Sequence, residues 1–232
     1  MNILIMGCSW GVPNYGEHRV KTWTPEAHIH TMLKDQGHNV VNLSLYGSSN
    51  LKQILRFHSW YQGKAITEFD FGLQDLTYCD IDLVIWFKTS IYRDWPKHHP
   101  LDQNIFSKLA NDTYKRIANI IKILHYPKFI AIGGVGPLLP IYTDYLKPDM
   151  VIENWRSEIL NVDFPNNHFW GGVGNDFVLD FEDLSEADQH ELSLEYDLMS
   201  QSTPHNFPDG GHPGLNPHKN LFESISNLIK GE

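Results

Sequence analysis

Residues Ile81–Phe87 read Ile-Asp-Leu-Val-Ile-Trp-Phe, and this run constrains the fold more than any other part of the chain. Apart from Asp82 the run is continuously apolar, and such a strand has no face to offer to water. It belongs in a sheet covered on both sides, as parallel sheets are. The rest of the chain supplies matching pieces in alternation. Apolar runs at Ile3–Met6, Val40–Leu45, Phe129–Ile132 and Met150–Ile152 predict further strands. Helical spacing runs through Pro25–Gln36, Asn50–Trp60 and Gln103–Leu124, and Asn216–Lys230 closes the chain as an amphipathic helix. Gly37 stands where a glycine ends a helix. Strands separated by helices imply βαβ units, so the expected class is α/β: a mostly parallel sheet with helices on both faces.

A chain of 232 residues suffices for one substantial domain. The stretch from about 154 to 208 breaks the rhythm. It is rich in Asn, Gly, Pro and acidic residues, with one short helical pattern at Ser185–Ser200. It lacks the apolar content for a core of its own and is expected to be a long excursion within a single domain, 1–232. No internal repeat or low-complexity tract occurs.

Charge and cysteine usage remove several function classes. The formal net charge is −10 and the 18 Lys and Arg are scattered, which argues against a nucleic-acid surface. No apolar run approaches the length of a membrane span, and the opening residues lack the basic start and apolar length of a signal peptide. Two cysteines, Cys8 and Cys79, exclude a disulfide framework and point to a reducing cytosol. The expected location is cytoplasmic.

In open parallel sheets, ligands bind beyond the carboxyl ends of the strands. Ser9, Gly47 and Thr89 each follow an expected strand, so they converge on one edge. Ser9 lies within Gly7-Cys8-Ser9-Trp10-Gly11, a sequence suited to a tight turn that exposes a hydroxyl and aims backbone N–H groups at an oxyanion. A serine in such a turn also serves as a helix cap or a phosphate contact. No Gly-x-Gly-x-x-Gly or Walker pattern follows, however, so a nucleotide-binding flavodoxin-like reading lacks its phosphate loop. Cys8 reads as a small buried residue beside the turn, not as a thiol nucleophile. Near the other end stands Asp209-Gly210-Gly211-His212-Pro213, just before the closing helix. His212 is suited to act as general base, with Asp209 orienting and stabilising its imidazole.

These blocks resemble the SGNH (GDSL-type) hydrolase superfamily. The resemblance rests on Gly-Cys-Ser-Trp-Gly at 7–11, Gly47 within Asn42-Leu-Ser-Leu-Tyr-Gly-Ser-Ser-Asn50, Asp209-x-x-His212-Pro213, and His218 in the helix that follows. It implies a three-layer α/β/α sandwich on a five-stranded parallel sheet. It implies Ser9 as nucleophile, His212 as base, Asp209 as the acid behind it, and the backbone N–H groups of Ser9 and Gly47 as oxyanion donors. The implied activity is hydrolysis of esters, thioesters or acetyl groups on sugars, with no metal and no other cofactor. The chain departs from the pattern twice. Cys8 replaces the usual Asp before the serine. Lys88-Thr89-Ser90-Ile91 stands where the third block carries Gly-x-Asn-Asp, whose Asn donates to the oxyanion. Thr89 or Ser90 is a substitute donor, with Asn50 and Asn175 as further candidates.

Other features carry less. His98-His99 reads as a surface loop, since adjacent side chains diverge and no carboxylate lies at ligand spacing. His28 and His30 are two apart on an expected helix and do not share a face. Arg93 is a candidate to line the pocket and hold an anionic or sugar substrate, and equally to pair with Asp94. Trp10 is a candidate substrate contact, although core packing accounts for most of the tryptophans. The leading functional expectation is a serine esterase or acetylesterase acting on a small-molecule or carbohydrate ester. The competing one is a binding or assembly protein on the same fold, motivated by the missing Asn and the long excursion.

Overall fold

The computed structural model describes residues 1–12, 28–45, 47–64, 81–89, 91–94, 103–133, 138, 145–152, 155 and 215–231; for 9, 91, 92, 103–107 and 215–217 it describes the backbone alone. The elements run β1 (Asn2–Met6), α1 (Ile29–Asp35), β2 (Asn39–Asn42), α2 (Asn50–Tyr61), β3 (Leu83–Lys88), α3 (Gln103–Ile123), β4 (Lys128–Gly133), β5 (Met150–Ile152) and α4 (Leu215–Lys230). The strands form one parallel sheet in the order β2-β1-β3-β4-β5.

Alternation along each strand feeds two separate cores. Leu4, Met6, Val84, Trp86, Phe129 and Ala131 face Ile54 and Phe57 of α2 and Tyr114 and Ile117 of α3. Ile3, Ile5, Leu83, Ile85, Ile130 and Ile132 face Ile29 and Leu33 of α1 and Leu221 and Ile225 of α4. Both faces of the sheet are covered, which is why every residue of β3 is buried. The result is a three-layer α/β/α sandwich.

Most element ends lie within a residue or two of the sequence expectation, but β2 ends at Asn42, three residues before Leu45. β3 begins at Leu83 and not at Ile81; Asp82 just before it is exposed, with its carboxylate accepting from the Asn2 N–H at 2.7 Å. α1 ends as expected at Gly37, whose φ of +85° suits glycine. The His38 N–H reaches Leu33 O at 3.2 Å and the Gly37 N–H reaches Lys34 O at 2.8 Å, the two bonds of a Schellman cap. His28 is not a helical residue. It is the N-cap of α1, and its ring accepts from the His30 N–H at 3.1 Å. The 156–208 part of the excursion, including Ser185–Ser200, lies outside the described residues, as do Cys79 and His98-His99. Among the described residues, no helix is long and apolar enough to cross a membrane.

Candidate functional site

The carboxyl edge of the sheet is built from the ends of its three neighbouring strands β2, β1 and β3. After β1 the chain turns sharply. Ser9–Gly11 form a 3₁₀ turn, closed by Gly11 N–H to Cys8 O at 3.0 Å. Cys8 is fully buried beneath it. The two glycines serve close packing here. A Cβ on Gly11 would strike Ser44 Oγ, and one on Gly7 would lie 2.9 Å from Phe87 Cβ. The turn therefore lies directly on Ser44, just past β2, and on Phe87 of β3.

Side chains from two other segments grip the carbonyls of this turn. Asn42, the last residue of β2, donates from Nδ2 to Gly11 O at 2.6 Å, and its Oδ1 accepts from the Ser44 N–H at 2.9 Å. On the opposite side His28 Nε2 lies 3.3 Å from Trp10 O. Since His28 Nδ1 is the acceptor for His30, the proton sits on Nε2 and donates to that carbonyl.

Replacement of Gly11 by alanine is expected to cost about 1–3 kcal/mol, the usual penalty of overpacking. Urea unfolding of G11A and of the double variant G11A/S44G checks this. The second change removes the atoms in the way, so it should recover most of the loss; no recovery would show that crowding against Ser44 is not the cause.

The second contribution comes from the β2–α2 connection. Gly47 has φ +59°, in a turn where Ser48 N–H reaches Leu45 O at 3.2 Å. A Cβ there would meet nothing, so the positive φ alone accounts for the glycine. The following α2 N-terminus is held by Ser49, whose Oγ accepts from the Lys52 N–H at 3.2 Å. Asp94, from the 3₁₀ turn Ile91–Asp94 after β3, also accepts there, from Asn50 N–H at 3.2 Å and Leu51 N–H at 2.9 Å. A carboxylate at a helix N-terminus is favoured by both the unpaired N–H groups and the helix dipole. Asp94 is thus committed to α2, while Arg93 Nη1 reaches Ser48 O at 3.4 Å.

The third contribution is the end of β3. The Thr89 N–H donates to Asn50 Oδ1 at 3.0 Å, and Asn50 Nδ2 donates back to Thr89 O at 3.0 Å and to Asp94 Oδ2 at 3.1 Å. Both amide hydrogens of Asn50 are therefore occupied in joining α2 to β3. The Thr89 hydroxyl differs. It is fully buried, and Oγ1 has no hydrogen-bond partner among the described residues. A buried hydroxyl without a partner is costly, which sets this group apart from the other polar groups of the edge. The neighbouring Lys88 is also buried, and burial lowers its pKa to about 8 against the opposing pull of Asp94.

Behind the turn lies an aromatic cluster. Trp10 is only 4% exposed and packs edge-on against Trp155, with ring centroids 5.5 Å apart. Trp155 also packs edge-on against His218 of α4 at 5.2 Å, and His218 lies 4.2 Å from His28. Burial is the main cause that holds His28 well below the ordinary histidine pKa, with repulsion from His218 adding to it; burial alone lowers His218 to about 3. Both rings are neutral at pH 7.

The structure thus gathers Ser9, Gly47, Asn50, Thr89 and Arg93 around one edge, with Ser9 described by its backbone. Trp10 belongs to the core beneath the turn. Asp209, His212, Ser90 and Asn175 lie outside the described residues. Asn42, Ser44 and Asp94 were not foreseen as contributors. Asp94 carried a signal, since an acid shortly after a strand can cap a neighbouring helix, but nothing local specified which helix.

No protein-family model and no curated protein sequence matches the chain. Solved structures do match. A carbohydrate esterase, described as having an active site with divergent catalytic and non-catalytic binding functions, superposes with TM-score 0.54 at 10% identity. That match covers 100% of this chain and 65% of the other. The esterase EstA from Pseudoalteromonas sp. matches with TM-score 0.49 at 10% identity, over 99% and 97% of the two chains. AlinE4, an SGNH-hydrolase family esterase, matches with TM-score 0.44 at 12% identity, over 88% and 96%.

Proposed function

With an SGNH-type fold as the frame for these residues, we propose that the chain is a serine hydrolase that cleaves a short acyl ester on a carbohydrate or small molecule. What carries the reading is one juxtaposition. Ser9 begins a tight turn at the end of β1, between the positive-φ Gly47 beyond β2 and the buried Thr89 hydroxyl, free of partners among the described residues, beyond β3. A substrate carbonyl bound over this edge meets a nucleophile from the end of β1 and oxyanion donors from beyond the strands on either side of it.

In the proposed reaction Ser9 Oγ attacks the acyl carbon as His212 takes the hydroxyl proton. Asp209 holds the imidazole and balances its charge. The negative charge that develops on the carbonyl oxygen is met by the N–H groups of Ser9 and Gly47 and by Thr89 Oγ1–H. Collapse expels the alcohol, which leaves with the proton from His212. Water, deprotonated by the same imidazole, then attacks the acyl-enzyme and releases the carboxylic acid.

The direct test is labelling with a fluorophosphonate, followed by peptide mapping of the adduct. Modification of Ser9 supports the proposal, and an unlabelled Ser9 in folded protein refutes it. Thr89→Val keeps the side-chain shape and removes the donor. It is expected to lower kcat by roughly 10²–10³, the usual loss for one oxyanion donor. Steady-state kinetics on an aryl acetate reads this, and an unchanged kcat removes Thr89 from the oxyanion site.

A second reading is a weakly active or non-catalytic binding protein on the same fold. The observation that favours it is the engagement of both Asn50 amide hydrogens, which leaves no carboxamide donor from that residue. The carbohydrate esterase with TM-score 0.54 is described as having non-catalytic binding functions in its active site. A glycan-binding screen of wild type and Ser9→Ala separates the readings, because a binder retains its ligands without turnover.

A further inference from the structure

We propose that His28 and His218 form a clasp that keeps the nucleophile turn in register with the closing segment of the chain, which makes them positioning residues for the chemistry at Ser9. The role in chemistry rests on the hydrolytic reading above; the clasp itself does not.

The two rings meet at one end of the seam between α1 and α4. Leu221 and Ile225 of α4 pack in the same core as Ile29 and Leu33 of α1. His218 precedes Leu221 and Ile225 by three and seven positions, so it continues their stripe toward the start of α4. His28 is the N-cap immediately ahead of Ile29. The helix starts lie toward the carboxyl edge of the sheet, since α1 is the crossover that follows β1. The ring centroids are 4.2 Å apart and each residue is 1% exposed.

An apolar ring would fill this space at lower cost than two buried imidazoles. What an apolar ring lacks is polar reach. His28 donates to Trp10 O within the Ser9–Gly11 turn and accepts from its own helix, so it fastens that turn to α1. His218 then fastens α1 to α4, whose first turn follows Asp209-x-x-His212 by only a few residues. One contact chain therefore runs from the carbonyl beside Ser9 to the helix that anchors the segment carrying the base. Trp155, edge-on to both Trp10 and His218, closes the cluster from a third side. The Nδ1 of His218 has no partner among the described residues.

The test uses substitutions that divide the functions of the ring. His28→Asn retains a capping acceptor for the His30 N–H but is too short to reach Trp10 O. His28→Gln puts an amide donor near the position of Nε2. On an aryl acetate, His28→Asn is expected to lower kcat at least tenfold with KM within twofold of wild type, and His28→Gln to recover to within threefold. A wild-type kcat in His28→Asn, or equal losses in both variants, overturns the positioning role. Amide hydrogen exchange reads the clasp without turnover. In His28→Asn, exchange should accelerate at least tenfold both at residues 9–12 and at residues 215–221. Acceleration confined to one segment, or none, overturns the clasp. A wild type with no turnover whose two segments still loosen together keeps the clasp and removes the hydrolytic reading. Should His28→Asn not fold, His218→Phe and His218→Ala replace it: the first keeps the ring contact and the exchange pattern, the second loses both, and equal behaviour of the two refutes the proposal.

Discussion

Ser9→Ala is expected, on the proposed mechanism, to reduce kcat/KM on a short-chain aryl ester by a factor on the order of 10⁴ or more, because a nucleophile and its base act as one unit and the loss of either removes the covalent route. The residual rate should be that of a site which still binds the ester and polarises its carbonyl. The turn is tightly packed on Ser44 and Phe87, and its carbonyls are held by Asn42 and His28, so removal of one hydroxyl should leave the fold unchanged. His212→Ala should lose about as much. The double variant should lose little more than either single one, since the effects of such residues are far from additive. The measurement is initial velocity with each variant at equal concentration, alongside thermal melts to confirm folding. Equal rates for wild type and Ser9→Ala would eliminate the nucleophile and leave the binding reading in possession of the site.

Stability is expected to fall steeply as the pH drops below about 6.5, and the His28–His218 pair is a principal reason. Both rings are neutral and buried in the folded protein, with pKa values pushed below the ordinary 6.5, that of His218 to about 3. In the unfolded chain they protonate near 6.5. Above that pH the two states bind equal numbers of protons and the pair is indifferent to pH. Below it the unfolded state binds more, so each ring removes about 1.4 kcal/mol of stability per pH unit until its folded pKa is reached. At pH 4.5 His218 alone accounts for about 3 kcal/mol, a sizeable part of the margin of an ordinary domain, and His28 acts in the same direction.

The charged and titratable surroundings act in the same direction. His218 faces His28 from α4, and His30 faces it from α1; His30 is itself lowered to about 4 by burial and by Lys34. Carboxylates also weaken the fold in acid, so the decisive quantity is a difference. His218→Phe keeps an aromatic ring between His28 and Trp155 while deleting one titration. Its stability, from urea unfolding at several pH values, should lose about 1.4 kcal/mol per pH unit less than wild type between 6.5 and 4.5. Parallel curves for the two proteins would mean that His218 is not held neutral by the fold.

Much of the architecture is legible in the chain because its causes are local. The apolar run Leu83–Phe87 of β3 requires cover on both faces, and α2 and α3 on one side with α1 and α4 on the other supply it. The helix stop at Gly37 is visible because an unstrained positive φ favours glycine. The glycines of the Gly7–Gly11 turn are visible as well, although their reason is not. It lies in Ser44, just past β2, and Phe87 of β3, which are 30 or more residues away and which only the sheet brings beneath the turn. Asn50 illustrates the limit from the other side. From sequence it is one more possible oxyanion donor; in the fold its amide joins α2 to β3.

From residue order alone follow the alternating strands and helices, the parallel sheet, and the convergence of Ser9, Gly47 and Thr89 on its carboxyl edge. Each depends on periodicity and chain direction, which are local properties. Tertiary structure alone decided which polar groups are spent and which are left over: Asn42 on Gly11, His28 on Trp10, Asp94 on α2, and a Thr89 hydroxyl without a partner among the described residues. A hydrogen bond between residues tens of positions apart leaves no periodic trace. Its existence depends on strand register and helix packing to within a fraction of an ångström, and those are set by the whole core at once.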